Sequence, residues 1–315
     1  MNKFQVLLYY KYVDIADPEA VREAVREICK NLDLKGRIIV ANEGVNGTVE
    51  GTIEATEKYI EEMEKSEYFK GINYKKSVGT GSAFPKLSVK ARPEIVTAGM
   101  ISLNPNKVTG KYLSADELHS WYKAKKEFYV VDMRNDFEYS SGYFENFIPS
   151  GMNHFFELEK VLPKLEHLKS KTIVTVCTGG IRCEKASGFL VENGFGDVYQ
   201  LKDGIHSYME KYPNEHFKGK LYVFDKRLTV GFNTEDPTHE VVGSCLHCSE
   251  KSDSYVNCEL NTCHYHYICC GNCRDKETGY AFCKKECKEK YVIGLGLRFS
   301  LLDESSKLNN TIDRG

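Results

Sequence analysis

The spacing of apolar residues changes along the chain and predicts where strands and helices lie. Phe4–Tyr12 is apolar and aromatic enough to predict a strand. Asp17 and Pro18 then predict a helix start, because aspartate caps free backbone N–H groups and proline suits the first helical position. Apolar residues recur every three or four positions along this helix, at Val21, Val25, Ile28 and Leu32.

Four further elements follow in the amino-terminal region. They are a strand at 36–41, extended structure from Thr48, a helix capped by Thr52 that runs to about Met63, and a strand that starts at Ile72. The order β-α-β-β-α-β is the ferredoxin-like (acylphosphatase-like) arrangement. We therefore assign residues 1–92 to such a domain.

Strands alternate with helices from residue 113 to residue 215. Ser114 and Glu117 form a capping box, and later elements are predicted at 128–132, near 157–168, at 172–177, from about Glu184, and at 198–201. This alternation predicts a parallel, doubly wound α/β domain, in which ligand sites lie beyond the carboxyl ends of the strands. Residues 93–112 contain two prolines and two glycines and are predicted to be a linker.

Cys177 is the main candidate for chemistry, because it ends a predicted buried strand just before a glycine-bearing loop and a helix. Backbone N–H groups and the helix dipole favour an anion at that position. Such a setting lowers the pKa of a thiol and makes it nucleophilic. A buried structural cysteine is the alternative at this position.

Composition and charge restrict the class of protein. The chain has 315 residues, a net charge of −2 and ordinary globular contents of hydrophobic and charged residues, so any nucleic-acid surface must be a local patch. No run approaches the roughly 18 apolar residues of a membrane span, and the first residues lack the apolar core of a signal peptide. We expect a cytoplasmic protein without a membrane partner.

A local basic patch does occur between residues 70 and 111. Eight lysines and arginines face a single acid, Glu94, and aromatic residues lie among them. Such a stretch can bind a phosphate backbone and stack on unpaired bases, whereas a solvated strand face is the alternative. The residues predicted to contact RNA are Lys75, Lys76, Lys86, Lys90 and Arg92.

The segment 42–47 contains two asparagines and two glycines, as a hairpin connection often does. A backbone that approaches a ligand would have the same composition. In that alternative, Glu43 and Asn46 contribute polar groups to substrate binding.

Nine of the twelve cysteines fall between Cys245 and Cys287, a density that indicates metal ligation in a reducing compartment. Eight of them form four close pairs, enough for two tetrahedral sites of four thiolates. We expect structural zinc, held by the first pair with the third and the second with the fourth, while His247, His264 and His266 remain alternative ligands. Reduced free thiols, disulfides and an iron–sulfur cluster are the alternatives to zinc. The proposed ligands are Cys245, Cys248, Cys258, Cys263, Cys270, Cys273, Cys283 and Cys287. Residues 216–315 form this cysteine-rich segment, and 293–315 are predicted to be a flexible tail.

Several motifs of the middle domain together resemble a rhodanese domain. They are Asp132-x-Arg134-x3-Glu138-x3-Gly142, an Ile-Pro-x-Gly element at 148–151, Cys177-x4-Arg182 and Leu201-x-x-Gly-Ile205. In that family the loop cysteine carries sulfur as a persulfide, and Cys177 occupies its position. The related dual-specificity phosphatases have five residues between cysteine and arginine, whereas four separate Cys177 from Arg182, so the loop is too tight for a phosphoryl group.

The resemblance implies roles for the residues around Cys177. Arg182 would favour an anionic sulfur, and Thr178, Gly179, Gly180, Ile181, Asp132 and Arg134 would contribute to substrate binding. Rhodanese domains usually have serine or threonine at the position of Cys183. This cysteine could resolve an oxidised or persulfurated Cys177 by thiol exchange, or it could be an N-cap or a buried thiol.

The three regions in this order, with Ala41-Asn-Glu-Gly-Val-Asn-Gly-Thr48 in the first, resemble the bacterial TrhO (YceA-type) tRNA uridine hydroxylases. The resemblance implies oxygen-dependent formation of 5-hydroxyuridine at the wobble position of the tRNA anticodon stem-loop, with Cys177 essential and molecular oxygen as co-substrate. We find no flavin or nicotinamide motif in the sequence. A sulfurtransferase and a non-enzymatic, zinc-dependent RNA-binding module are the alternative functions.

Overall fold

A computed structural model describes residues 3–294 of the chain, and these residues form two compact units that divide after Glu240. In the first unit an amino-terminal domain precedes a rhodanese-like α/β domain. Within the described residues, no helix is both long enough and apolar enough to cross a membrane.

The amino-terminal domain is built on one five-stranded sheet. Its elements are β1 Phe4–Tyr12, α1 Pro18–Asn31, β2 Lys35–Ala41, β3 Gly44–Thr52, α2 Ile53–Glu64, β4 Lys75–Val78 and β5 Leu87–Ala91. The strand order β4-β1-β3-β2 is antiparallel throughout, as in a ferredoxin-like fold, and β5 adds a parallel neighbour to β2. The predicted fold is confirmed, but the fourth strand starts three residues later than predicted and β5 was not predicted.

Local signals explain the helices of this domain. The Asp17 carboxylate accepts hydrogen bonds from the backbone N–H groups of Glu19 and Ala20, so it caps α1 as predicted. Thr52 caps α2 through the N–H of Ala55. Both helices pack on one face of the sheet over a core that includes Leu7, Val40 and Tyr59.

The α/β domain contains a second five-stranded sheet. The strands of the domain are β6 Lys111–Leu113, β7 Tyr129–Asp132, β8 Gly142–Phe144, β9 Ile148–Pro149, β10 Thr172–Val176 and β11 Asp197–Leu201. Its helices are α3 Ala115–Lys123, α4 Leu162–Leu165, α5 Ile181–Glu192 and α6 Gly204–Lys211. The sheet is parallel in the order β6-β11-β10-β7-β9, as the alternation predicted, while β8 lies outside it. The capping box of Ser114 and Glu117 is present at α3.

Two helices differ from the prediction. The helix predicted near 157–168 is broken into 3-10 turns at Phe155–Val161 and Glu166–Leu168 around the four-residue α4. Helix α5 starts at Ile181 rather than near Glu184, because Gly180 adopts a left-handed conformation and serves as its N-cap. The first turn of α5 therefore lies next to Cys177.

Residues 216–240 belong to the first unit. Strand β12 Phe217–Gly219 pairs with β8, and β13 Leu221–Tyr222 pairs with β14 Thr229–Val230. The limits 1–92, 93–112, 113–215 and 216–315 remain our proposal for the domain organisation.

The second unit is small and rich in cysteine. It contains a hairpin of β15 Tyr255–Asn257 and β16 His266–Ile268, a 3-10 turn at Gly271–Cys273, and helical residues 285–294. The tail predicted for 293–315 therefore begins within helical residues, and from residue 295 onward it lies outside the described residues. Cysteines supply most of the buried core, with Tyr267 and Ala281.

Candidate active site

Cys177 follows the buried strand β10 directly and precedes α5. Its side chain is fully buried but lies in the wall of a cavity that is partly open to solvent. Gly180 has a φ of +99°, which allows the chain to turn from strand to helix within the four residues 177–180. A Cβ at Gly180 would also lie 2.8 Å from the Tyr10 hydroxyl, so the turn is packed tightly against the amino-terminal domain.

Helix α6 supports the Cys177 loop from behind. The backbone N–H of Ile205 donates to the carbonyl oxygen of Cys177 at 2.9 Å, and that of His206 donates to Thr178 at 3.0 Å. Gly204 has a φ of +72°, and an added Cβ would lie 2.6 Å from backbone atoms of Gly179 and Gly180. The Leu-x-x-Gly-Ile motif therefore positions the loop, and only glycine fits at residue 204.

The environment of Cys177 favours its thiolate. Burial alone would raise its pKa, but a hydrogen bond from the Cys183 thiol, the charge of Arg182 and the backbone N–H groups of both residues lower the pKa to about 6. Burial and the neighbouring sulfur raise the pKa of Cys183 well above its usual value. Cys183 is thus the protonated donor and Cys177 the anionic acceptor.

The charge of Arg182 is held by a buried acid. Its guanidinium makes two hydrogen bonds to the Glu138 carboxylate, at 2.5 and 2.9 Å, and one to the Thr178 hydroxyl at 3.3 Å. Burial alone would lower the pKa of Arg182. The negative charges of Glu138 and Cys177 outweigh this effect, so the pKa lies above its usual value. Glu138 belongs to the sequence motif, but only the three-dimensional structure shows that it pairs with Arg182.

Asp132 and Arg134 are placed behind the site rather than in it. They form a fully buried ion pair, with Arg134 Nη2 2.6 Å from the Asp132 carboxylate, and neither lines the cavity. Arg134 also donates to the carbonyl oxygens of Glu138 and Gly142. The expected substrate contact is not supported, and the pair instead positions the segment that carries Glu138.

The cavity has a volume of about 420 Å³ and lies between the amino-terminal sheet, the Cys177 loop and residues 223–227. Its size falls in the usual range for small-molecule sites. Of the predicted site residues it brings together Cys177, Thr178, Gly179, Ile181, Arg182 and Asn46, with Gly180 and Cys183 directly behind them. His206 and Asn135 also line it, and sequence patterns did not indicate either.

Glu43 and Asn46 connect elements of the first unit. Glu43 accepts a hydrogen bond from the N–H of Ile95 and pairs with buried Lys185, which also pairs with Glu94. Asn46 donates to the carbonyl oxygen of Ile95. Strand β3 already starts at Gly44, so the connection between β2 and β3 is a tight hairpin at Asn42 and Glu43. The side chains of Glu43 and Asn46 both bind the linker at Ile95.

The predicted basic residues divide into two groups. Lys75 is 4% exposed, pairs with Asp203 at 3.1 Å and lies over the Tyr10 ring, so it offers no surface charge. Lys76 is more exposed but pairs with Glu57. Lys86, Lys90 and Arg92 are exposed, and no ion-pair partner is present for them within residues 3–294.

Two groups of four cysteines in the second unit could hold metal ions. Cys245, Cys248, Cys270 and Cys273 form one, and Cys258, Cys263, Cys283 and Cys287 form the other. Sulfur pairs within them lie 3.5 to 3.6 Å apart, close to the roughly 3.8 Å edge of a tetrahedron with Zn–S bonds of 2.3 Å. All twelve cysteines lie in the described region and are free thiols.

The grouping agrees with the predicted pairing of first with third and second with fourth. His247, His264 and His266 belong to neither group, so the structure does not support them as alternative ligands. A third group, His119, Glu215 and His216, lies in the first unit and is partly exposed. Its spacing along the chain did not suggest it.

Three family descriptions match consecutive parts of the chain. Residues 4–95 match "UPF0176 acylphosphatase like domain", residues 114–211 match "Rhodanese-like domain", and residues 218–288 match "Rhodanase C-terminal". A protein of Cytophaga hutchinsonii named tRNA uridine(34) hydroxylase is 41% identical over 288 residues, which cover 91% of each chain. A protein of the same name from Bacillus licheniformis is 43% identical and covers 85% of this chain and 84% of its own.

This chain belongs to the tRNA uridine(34) hydroxylase family. The resemblance inferred from the sequence is therefore confirmed, as are the acylphosphatase-like and rhodanese-like folds. Solved rhodanese-related structures are also similar to part of the chain. One from Thermoplasma volcanium has 25% identity and a TM-score of 0.27, and it covers 32% of this chain and 92% of its own.

The Cys177 cavity is bordered by more than the rhodanese-like loop. A rhodanese-like loop alone would suit a small sulfur donor, whereas the relatives are named for a tRNA base. In this chain the acylphosphatase-like sheet closes one side of the cavity with Leu8, Tyr10 and Asn46. The site is therefore shared by both domains of the first unit.

Proposed function

We propose that this protein hydroxylates the wobble uridine of tRNA to 5-hydroxyuridine, with molecular oxygen as co-substrate. The strongest support is that relatives named tRNA uridine(34) hydroxylase align over about nine-tenths of the chain. An alignment of that length must include the rhodanese-like domain. The cavity beside Cys177 supports it independently, because 420 Å³ can accommodate a nucleobase. We place the reaction in the cytoplasm, where tRNA is modified.

The substrate base must leave the anticodon stack to reach Cys177. Bases in single-stranded loops can be splayed out at low cost, and enzymes that modify a base enclose it in a pocket. Exposed Lys86, Lys90 and Arg92 lie on or next to β5, which extends the same sheet. We propose that they bind phosphates of the anticodon stem-loop.

We propose two roles for the Cys177 thiolate. In the first, the sulfur bonds to C6 of uracil and the displaced electron pair makes C5 nucleophilic. C5 then attacks a hydroperoxide, which a two-electron reductant outside the protein forms from molecular oxygen, and the O–O bond breaks with release of water. Loss of the C5 proton and departure of the thiolate from C6 then restore the double bond. In the second, Cys177 is itself the redox partner: it forms a disulfide with the Cys183 thiol while molecular oxygen accepts the two electrons and is reduced to the peroxide level, and a thiol outside the protein then reduces the disulfide.

Structural zinc in the two cysteine groups is part of the proposal. Cys₄ sites with closed tetrahedral geometry are typical of structural zinc. The second unit buries few large apolar side chains, so bound metal would supply much of its folding energy. The group of His119, Glu215 and His216 is not required for this role.

A plain sulfurtransferase is the second candidate, because the low pKa of Cys177 also suits a persulfide. It predicts thiosulfate-dependent sulfur transfer without any change in tRNA. The distinguishing experiment expresses this protein in a bacterial strain that contains no 5-hydroxyuridine and analyses its tRNA nucleosides by mass spectrometry. Hydroxylation predicts that 5-hydroxyuridine appears in aerobic cultures and not in anaerobic ones. Unchanged nucleosides, with thiosulfate turnover by the purified protein, would favour the sulfurtransferase.

A further inference from the structure

Two polar side chains of the Cys177 cavity lack the hydrogen-bond partners that buried groups normally have. His206, in the first turn of α6, is 2% exposed, and neither of its ring nitrogens has a partner among the described residues. Asn135, which follows β7, has a buried amide oxygen that likewise has no partner within residues 3–294. Both side chains line the cavity that Cys177 lines.

Two arginines of the cavity already have carboxylate partners. Arg182 is bonded to Glu138, and Arg227 is bonded to Asp225 and to the hydroxyl of Ser77. The Asn46 amide nitrogen donates to the carbonyl oxygen of Ile95. His206 and Asn135 differ from these residues because they carry buried polar atoms with no partner among the described residues.

Both side chains are positioned by the backbone that holds Cys177. The N–H of His206 donates to Thr178, and its ring meets the Phe232 ring edge to face at 5.1 Å. The N–H of Asn135 donates to Glu138 at 2.9 Å, which ties it to the partner of Arg182. Their positions relative to the loop are thus set by the fold before any ligand binds.

The hydrogen-bonding capacity of the two residues can be stated. Burial, and then the positive charges of Lys75 and Arg227, lower the pKa of His206 to about 4. At neutral pH the imidazole is therefore uncharged and offers one N–H donor and one acceptor. The amide oxygen of Asn135 is an acceptor.

These groups complement uracil. The pairing edge of uracil carries the N3–H donor between two carbonyl oxygens, whereas cytosine has an unprotonated N3 and an amino group. An acceptor opposite N3–H and a donor opposite a carbonyl oxygen thus match uracil. With the base in the same position, N3 of cytosine, itself an acceptor, would face the Asn135 acceptor. A site built around buried hydrogen-bonding groups rejects an analogue that leaves them unpaired.

We propose that Asn135 and His206 form the uracil-recognition site of the cavity: Asn135 accepts from N3–H, and His206 donates to a carbonyl oxygen of the base. The proposal rests on the proposed function, because it assumes that a tRNA uridine enters this cavity. It adds the two residues that select the base and orient it toward Cys177.

Binding of anticodon stem-loop RNA to the full-length protein tests this proposal. Wild-type protein should bind a stem-loop with U34 about 10-fold more tightly than one with C34, which corresponds to about 1.4 kcal/mol. Asn135→Leu and His206→Leu should each weaken U34 binding about 10-fold and remove most of the preference, because each leaves a base group unpaired. His206→Gln, which retains a donor, should recover most of the affinity.

Controls separate the outcomes. His167→Leu removes an exposed histidine of the same domain and should bind like wild type, and thermal unfolding reports whether the cavity variants fold. Equal wild-type binding of U34 and C34, or unchanged binding by folded Asn135→Leu and His206→Leu, would overturn the recognition site. Failure of the proposed function would instead appear as wild-type protein that forms no 5-hydroxyuridine in the aerobic strain.

Discussion

The hydrogen bond from Cys183 to Cys177 leads to a quantitative prediction. The pKa of Cys177 is lowered from 9.0 to about 6, which corresponds to about 4 kcal/mol in favour of the thiolate at 1.36 kcal/mol for each pH unit. Hydrogen bonds to charged groups contribute about 1.5–3 kcal/mol. Removing the donor by Cys183→Ala should therefore raise the pKa of Cys177 by about 1–2 pH units.

The assay uses the pH dependence of alkylation, because only the thiolate reacts. Trypsin releases Thr172–Arg182, in which Cys177 is the only cysteine, so mass spectrometry can follow this thiol among twelve. Wild-type protein should show a midpoint near pH 6. The reactive form is present above this midpoint and is lost as the pH falls through it, so the variant curve should lie at higher pH.

Cys29→Ala is the matched control for this experiment. Cys29 is buried in the core of the amino-terminal domain, where burial raises its pKa to about 12. Its replacement should leave the Cys177 midpoint unchanged. A Cys183→Ala midpoint equal to that of wild type would refute the role assigned to Cys183, and a lower midpoint would reverse the assigned direction.

Three further predictions concern the support of the site and the second unit. Glu138→Gln should lower the free energy of unfolding by about 3 kcal/mol, because the buried Arg182 charge loses its partner; urea unfolding measures this, and a value equal to wild type would contradict it. Gly204→Ala should disturb the Cys177 loop, since its Cβ would lie 2.6 Å from loop backbone atoms, and an unaltered alkylation profile of Cys177 would argue against that packing. A strong chelator should release two zinc ions per chain and make 241–315 sensitive to protease, while Cys248→Ala and Cys263→Ala should each remove one ion. A metal content other than two, measured by mass spectrometry, would count against the two Cys₄ sites.

Local signals made much of the fold predictable. The caps at Asp17, Thr52 and Ser114 have the same partners in the structure that their residue types indicated. Cys177 was identified because a strand end and a helix start lie close together in sequence. The spacing of cysteine pairs likewise contained enough information to group the two sets of four.

Other features depend on contacts between distant parts of the chain. Lys75 belongs to a basic run in sequence, but Asp203 and Tyr10 enclose it in the fold. Strand β5 is only partly buried and pairs in parallel with β2, so its pattern was weak. His206 and Asn135 were identified because their buried polar atoms have no hydrogen-bond partner among the described residues. A sequence does not show which side chains are buried or hydrogen-bonded.

The central claim is that Cys177 enables this protein to hydroxylate tRNA uridine. The most direct measurement compares wild type, Cys177→Ser and the control Cys29→Ser in a strain without 5-hydroxyuridine, with expression confirmed by immunoblot and tRNA nucleosides quantified by mass spectrometry. The account predicts 5-hydroxyuridine with wild type and Cys29→Ser and none above background with Cys177→Ser. Undiminished 5-hydroxyuridine with Cys177→Ser would contradict it.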